Sequence, residues 1–110
     1  MQRVGYTMTI KPELVDEYKK MHDDIWPEMS EALVRHGWRN YSIFYDGDAT
    51  LFGYLECAES FEASLAGIGT EDIAGKWMGE MGRFFVLPEG ADPDQDPLAM
   101  IEWREVFHAD

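Results

Sequence analysis

The sequence has a single cysteine, few basic residues and no long apolar run. Cys57 has no second cysteine to pair with in the chain, so an internal disulfide is excluded. Nine Lys and Arg stand against twenty-two Asp and Glu, and the resulting net charge of -13 repels phosphate backbones and anionic lipid head groups. No apolar run approaches the roughly 20 residues that cross a bilayer. We therefore expect neither nucleic acid nor a membrane as a partner.

The size and the N-terminal residues bound the organisation of the protein. A chain of 110 residues, of which 45% are hydrophobic, is near the commonest size of one compact domain. We therefore expect residues 1–110 to form a single domain. The first residues, MQRVGYTMTI, lack the basic region and apolar run of a signal peptide, which together with the lone cysteine predicts a cytoplasmic protein.

Hydrophobic periodicity predicts a strand and then an interrupted helix. Apolar residues alternate over residues 4–10, as in a half-buried strand. Pro12 is tolerated in a first helical turn, and Gly37 is a suitable C-terminal cap. Between them, Pro27 removes a backbone donor, so the helix should kink or restart near Trp26. The stripe expected to face the core consists of Leu14, Tyr18, Met21, His22 and Ile25.

The second half of the chain predicts a hairpin, two helical pieces and a final strand. Apolar runs at residues 41–45 and 51–57 flank the turn sequence DGDA, which is typical of a β-hairpin. Ser60 and Thr70 are candidate N-caps for helices over residues 61–66 and 71–84. Residues 88–97 are rich in proline and acid, which predicts an exposed loop, and residues 100–107 should form the last strand.

The order of these elements predicts an α+β fold. A βαββαβ order with right-handed crossovers packs the helices on one face of a four-stranded antiparallel sheet, which is a ferredoxin-like sandwich. The sheet face away from the helices must be covered or solvated, and residues such as Phe44, Phe52, Tyr54 and Trp103 leave both strand faces partly apolar. A homodimer that seals sheet on sheet, a dimeric α+β barrel, would cover that face.

Three ring-bearing residues recur at four-residue intervals in the first helical region. Tyr18 and His22 should meet on one helix face, with Trp26 one turn later if Pro27 did not bend the path. Imidazole exchanges protons near neutrality, and phenol and indole rings offer a flat apolar wall with one hydrogen-bonding edge. These features suit a sugar pocket. The alternative is that Tyr18 and His22 lie at the edge of the core with their polar ends in water.

Other chemistries find little support in the sequence. The His22-Asp23-Asp24 run could suggest a metal, but consecutive helical residues point about 100° apart and no HxxxH or HExxH spacing occurs. Phosphate-loop and GxSxG motifs do not occur either, and Cys57 lies in an apolar strand, as a structural thiol does. We expect no metal, no bound nucleotide and no covalent nucleophile.

Four stretches carry a specific resemblance: YKKMHDDIWPEM, HGWRNYSIF, KWM and a C-terminal EVF. They closely resemble the L-rhamnose mutarotase family, most specifically in H-x-x-I-W-P-E at residues 22–28 and H-G-x-x-N-Y at residues 36–41. The resemblance implies dimers of ferredoxin-like subunits that interconvert the α and β anomers of L-rhamnose without a cofactor. It implies that His22 is the catalytic proton donor and that Tyr18 and Tyr41 contact the sugar.

One departure from the family concerns the sugar-contacting tryptophan pair. This chain has Lys76 and Trp77 there, so only Trp77 carries over. A lysine weakens stacking on an apolar sugar face but can donate hydrogen bonds to hydroxyls, which makes L-fucose and other aldoses candidates beside L-rhamnose. Alternatively, Lys76 points to solvent, because adjacent helical residues do not share a face.

The implied mechanism uses only acid and base steps, and its base stays open among a tyrosine, a water and a carboxylate. Two other functions remain open, because a fold does not determine its chemistry. One is a cofactor-free oxygenase or isomerase of the dimeric α+β barrel group. The other is a sugar-binding module that grips its ligand without catalysis.

Overall fold

The computed structural model describes residues 1–91 and 98–110. Along the chain, one strand is followed by two helices, two strands, two further helices and a last strand. Short 3₁₀ turns precede the first helix and follow the last. The strands are β1 (Gln2–Thr9), β2 (Trp38–Tyr45), β3 (Thr50–Cys57) and β4 (Ile101–Trp103), and the helices are α1 (Val15–Asp23), α2 (Pro27–Arg35), α3 (Phe61–Ile68) and α4 (Asp72–Met81).

The four strands form one antiparallel sheet in the order β2-β3-β1-β4. This order confirms the ferredoxin-like α+β prediction. Val4, Tyr6 and Met8 alternate along β1 toward the helices, and each is at most 4% exposed. They join Leu51 and Leu55 of β3 in the hydrophobic core. The period-two pattern of the sequence thus decides which face of the sheet is buried.

The proline in the first helical region separates two helices. α1 ends at Asp23 and α2 begins at Pro27, whose missing N–H has no intrahelical partner in a first turn. The predicted restart near Trp26 is confirmed. Gly37 follows α2 with φ of +83°, a conformation that glycine adopts without a Cβ penalty, so the predicted C-terminal cap is also confirmed.

One of the two predicted N-caps is wrong. The Ser60 hydroxyl accepts a hydrogen bond from the Ala63 N–H at 3.1 Å, so Ser60 caps α3 as expected. Thr70 does not cap α4, because its hydroxyl donates to the Gly67 carbonyl at 2.7 Å. Glu71 occupies the N-cap position instead. The Thr70 hydroxyl therefore stabilises the turn after α3 and not the first turn of α4 as the sequence had predicted.

The C-terminal strand is shorter than predicted. β4 comprises Ile101–Trp103, and β1 pairs with it only through Gly5, Tyr6 and Thr7. Residues 104–107 are exposed and belong to no strand of the described part of the chain, so the predicted strand over residues 100–107 is too long. Most of the predicted acidic loop, residues 92–97, lies outside the described residues.

The sheet face opposite the helices carries exposed apolar side chains. Phe44 and Phe52 are cross-strand partners and are 60% and 44% exposed. Ile101 and Trp103 extend this surface onto β4, where the Trp103 indole N–H donates to the Thr7 hydroxyl at 2.8 Å. Among the helices of the described residues, none is long and apolar enough to cross a membrane.

Candidate active site

A cavity of about 1110 Å³ lies between the helices and the buried face of the sheet. Its wall combines methionines and aliphatic side chains with aromatic rings, and it includes one histidine among several charged residues. A largely apolar cavity with a few polar groups is the usual form of a small-molecule site. The aromatic and titratable residues of its wall that matter here are Tyr6, Tyr18, His22, Tyr41 and Trp77.

Helices α1 and α4 bring three rings together at this wall. The Tyr18 and His22 rings of α1 have centroids 4.2 Å apart, as their four-residue spacing predicts. The Trp77 ring of α4 lies edge-on to His22, with centroids 5.4 Å apart. Trp26, at the break between α1 and α2, packs edge-on against Trp77 at 5.1 Å. The His22 ring therefore lies between the rings of Tyr18 and Trp77, an arrangement that depends on the packing of α1 against α4.

The backbone fixes the tautomer of His22. Its Nδ1 lies 2.9 Å from the Tyr18 carbonyl oxygen, which can only accept, so Nδ1 carries a hydrogen and donates it. In the neutral ring Nε2 is then the unprotonated nitrogen. Burial lowers the pKa of His22 from its ordinary value, and the bond to Tyr18 opposes part of that shift. His22 is thus oriented by its own helix, and Nε2 is the ring nitrogen left free to give or take a proton.

A β-bulge places Tyr41 at the site. The pairing of β2 with β3 slips by one residue between Arg39 and Ser42. Asn40 takes up the slip with φ of +47°, a conformation in which asparagine is enriched, and its amide donates to Glu56 on the outer face. Tyr41 turns inward, and its hydroxyl forms a short hydrogen bond with the Tyr6 hydroxyl.

The phenols of the cavity are held in their neutral form. Burial raises the pKa of Tyr18 and of Tyr6, and the nearby Tyr41 raises both further. The protein atoms packed around its hydroxyl also raise the pKa of Tyr41, although the residue as a whole is 38% exposed. A phenol whose pKa lies above its usual value of about 10 keeps its proton at neutral pH. These tyrosines can therefore donate and accept hydrogen bonds, but they are poor proton acceptors in a reaction.

Lys76 lies apart from the other predicted site residues. It is exposed on α4 and is not part of the cavity wall, whereas its neighbour Trp77 is 6% exposed and is part of it. The geometry of a helix separates the two side chains by about 100°. The structure therefore brings Tyr18, His22, Tyr41 and Trp77 together and leaves Lys76 outside.

Sequence reasoning missed Tyr6 as a member of the site. The β1 pattern places it in the core, where its side chain is 1% exposed, but that pattern does not show that its hydroxyl meets Tyr41, 35 residues away. Only the register of three strands makes this contact. Gly53 is the cross-strand partner of Tyr6, and a glycine inside a strand is a sequence signal for such a close approach.

Further groups at or near the cavity are charged. Asp16 and Glu71 belong to its wall. Glu71 accepts hydrogen bonds from Arg35 at 2.9 Å and from His36 at 2.7 Å, which lowers its pKa to about 2.

In the described part of the chain, no three His, Cys, Asp or Glu side chains are grouped so that they could hold a metal ion.

Fold and site together define a class of protein. A ferredoxin-like domain holds an aromatic cavity in which one oriented imidazole and several neutral phenols converge. Such a site fits a small ring compound that carries hydroxyl groups, and its imidazole can exchange protons with that compound.

Comparisons with known proteins are specific. A sequence model of the L-rhamnose mutarotase family matches residues 3–109, so the chain belongs to this family. It is 38% identical to an L-rhamnose mutarotase of Oceanobacillus iheyensis over the full length of both chains. It is 39% identical to one of Listeria monocytogenes over 98% of both. The crystal structure of an L-rhamnose mutarotase from Formosa agariphila superposes with a TM-score of 0.80, at 27% identity and full coverage of both chains. A mutarotase interconverts the anomers of a sugar, so the family is one of isomerases.

Proposed function

We propose that this protein interconverts the α and β anomers of L-rhamnose. The observation that carries the proposal is the oriented imidazole of His22 in an aromatic cavity, in a chain that matches named L-rhamnose mutarotases over its full length. Aromatic walls suit the apolar faces of a 6-deoxy sugar, and phenolic hydroxyls suit its polar edges.

The chemistry requires two proton transfers. One proton reaches the ring oxygen and one leaves the anomeric hydroxyl; the open aldehyde then rotates about C1–C2 and recloses on its other face. In our proposal protonated His22 donates from Nε2 to the ring oxygen while Nδ1–H stays bonded to the Tyr18 carbonyl. A positioned acid contributes about 10²- to 10⁴-fold, which suits a reaction that already proceeds in water.

The remaining residues bind the sugar. Tyr18 and Tyr41 keep their protons, so we assign them to hydrogen bonds with sugar hydroxyls, and Trp77 to an apolar contact with the ring. The same reasoning disfavours a tyrosine as the general base and leaves a water or a carboxylate at the cavity. The carboxylates that the described residues place in its wall are those of Asp16, Asp23, Glu71 and Asp72. Asp23 is already paired with Lys19, and Glu71 with Arg35 and His36.

The test is saturation-transfer NMR at the anomeric protons of L-rhamnose and L-fucose, with and without protein. We expect faster exchange with the wild type and a loss of about 10²-fold or more with His22→Asn. His108→Asn is the matched control, because His108 lies in the exposed C-terminal segment, is not part of the cavity wall and has its ring hydrogen-bonded to Asp110. Full activity of His22→Asn with either sugar would remove His22 from the mechanism. Ligand binding without faster exchange would instead indicate a binding module.

Lys76 bears on the choice of sugar. Its exposed position outside the cavity wall supports the alternative in which it points to solvent, and L-rhamnose then remains the preferred substrate. Lys76→Ala should leave the ratio of L-rhamnose to L-fucose exchange rates unchanged. A shift of that ratio toward one sugar would show that the lysine reaches the ligand.

We also propose that the protein is a cytoplasmic homodimer. The support for a dimer is the exposed apolar surface of Phe44, Phe52, Ile101 and Trp103, which would be covered by the same surface of a second copy. The fully buried lone thiol of Cys57 is compatible with a reducing compartment. Light scattering coupled to gel filtration should give a dimer mass, and Phe52→Lys should give a monomer. A monomeric wild type would refute the dimer.

A further inference from the structure

The two hydroxyls of Tyr6 and Tyr41 form a pair whose proton order can be deduced. Tyr6 is 1% exposed, and in the described part of the chain its hydroxyl has the Tyr41 hydroxyl as its hydrogen-bond partner. If Tyr41 donated to Tyr6, the Tyr6 proton would need another acceptor in a buried place, and a buried donor without an acceptor is costly. Tyr6 therefore donates and Tyr41 accepts.

This order leaves the proton of Tyr41 available to a ligand. Tyr41 belongs to the cavity wall and is 38% exposed, so its O–H can point into the cavity while its oxygen is held by Tyr6. Burial, and the nearby Tyr41, raise the pKa of Tyr6, which keeps the donor protonated. A hydroxyl held from behind has fewer orientations to lose when a ligand binds.

Gly53 makes this arrangement possible. It is the cross-strand partner of Tyr6, and the Tyr6 ring lies across it. A Cβ at position 53 would lie 2.5 Å from the Tyr6 hydroxyl oxygen and closer still to two ring carbons, so no other residue leaves the ring where it is.

We propose that Tyr6 is a positioning residue for substrate, which donates its proton to Tyr41 so that Tyr41 presents its own O–H to a sugar hydroxyl. The inference rests on the proposed function. Tyr6 touches no reacting atom in this assignment. Its removal therefore affects the binding of sugar and not the proton transfer at His22.

The experiment measures anomer exchange against sugar concentration for Tyr6→Phe, Tyr41→Phe and the double variant. Tyr6→Phe removes the bond that orients the Tyr41 hydroxyl, which weakens the contact of Tyr41 with the sugar by up to one net hydrogen bond. KM should therefore rise about 2- to 12-fold with kcat within about twofold. The double variant should match Tyr41→Phe, because the Tyr6 bond acts only through Tyr41. Tyr54→Phe is the matched control: its hydroxyl donates to Glu56 outside the cavity wall, and KM should not change.

Two results would overturn the inference. One is a Tyr6→Phe variant with lower thermal stability but an unchanged KM, which would make Tyr6 a core residue only. The other is a double variant whose KM is the product of the two single effects, which would show that the hydroxyls act independently. If Tyr6→Phe does not fold, Tyr41→Phe still tests the pair through its KM, since the proposal requires that KM to rise. A wild type that fails to accelerate exchange would instead refute the proposed function, and with it this inference.

Discussion

The close approach of Gly53 to Tyr6 predicts that one added methyl group destabilises the protein. In Gly53→Ala, the new Cβ would lie 2.5 Å from the Tyr6 hydroxyl oxygen and within the ring's own volume. Ordinary contacts between heavy atoms lie at about 3.5–4.0 Å. The ring must therefore move by an ångström or more, although it is 1% exposed and its hydroxyl is bonded to Tyr41.

The loss of stability in Gly53→Ala is the difference between two effects: overpacking of the core destabilises the protein, and the lower conformational entropy of the unfolded chain stabilises it. Forcing an extra methyl group into a well-packed core costs about 1–3 kcal/mol. Alanine also loses less conformational entropy on folding than glycine, which returns about 0.4–1 kcal/mol. We expect a net loss of roughly 1–2 kcal/mol, and a domain of this size then melts about 4–16 °C lower. The displaced Tyr6 should also raise KM, as in Tyr6→Phe.

The assay is urea and thermal unfolding at one fixed protein concentration, because a dimer would make the melting temperature concentration-dependent. Gly79→Ala is the matched control. Gly79 lies in α4, is exposed, and a Cβ there would have no neighbour within 4 Å. This helix substitution should stabilise the protein by about 0.5–1 kcal/mol. Equal stability of Gly53→Ala and the wild type would refute the strand packing described here.

Three further predictions concern protons and a helix cap. Because the lowered pKa of His22 leaves its donor form in the minority at neutral pH, catalysed exchange should rise as the pH falls from 8 through about 6.5. The opposite trend, measured by NMR after subtracting the uncatalysed rate, would make His22 a base. The pKa of Glu71 is about 2 in the fold, so its stabilisation should be present above pH 4.5 and lost as the pH falls toward 2. Urea midpoints of Glu71→Gln should depend less on pH in that range than those of the wild type. Ser60→Ala should cost about 0.5–2 kcal/mol in urea unfolding, and an unchanged midpoint would contradict the capping hydrogen bond.

Much of the fold could be predicted from local patterns. The alternation around Val4 and Tyr6 predicted β1, and Pro27 predicted the break between α1 and α2, because both depend on neighbours within a few residues. The length of β4 was predicted wrongly. The length of a strand depends on how many of its residues pair with the neighbouring strand, which a local pattern does not show. The last pair between β1 and β4 is Gly5 with Trp103.

The candidate site divides in the same way. Tyr18 and His22 could be paired from their spacing, because a helix of 3.6 residues per turn brings residues four apart together. The resemblance to a known family, and not the spacing, pointed to Tyr41 and Trp77. It also pointed to position 76, where the structure places Lys76 outside the cavity wall.

The sequence by itself determined the alternating face of β1, the two helices separated at Pro27 and the pairing of Tyr18 with His22 on one helix face. Those features arise within single strands and helices, whose geometry repeats over two to four residues. Only the tertiary structure decided that Tyr6 meets Tyr41 and that Trp77 lies beside His22. Such contacts join residues 35 and 55 positions apart. They depend on strand register, on the bulge at Asn40 and on helix packing, and a local sequence pattern encodes none of these.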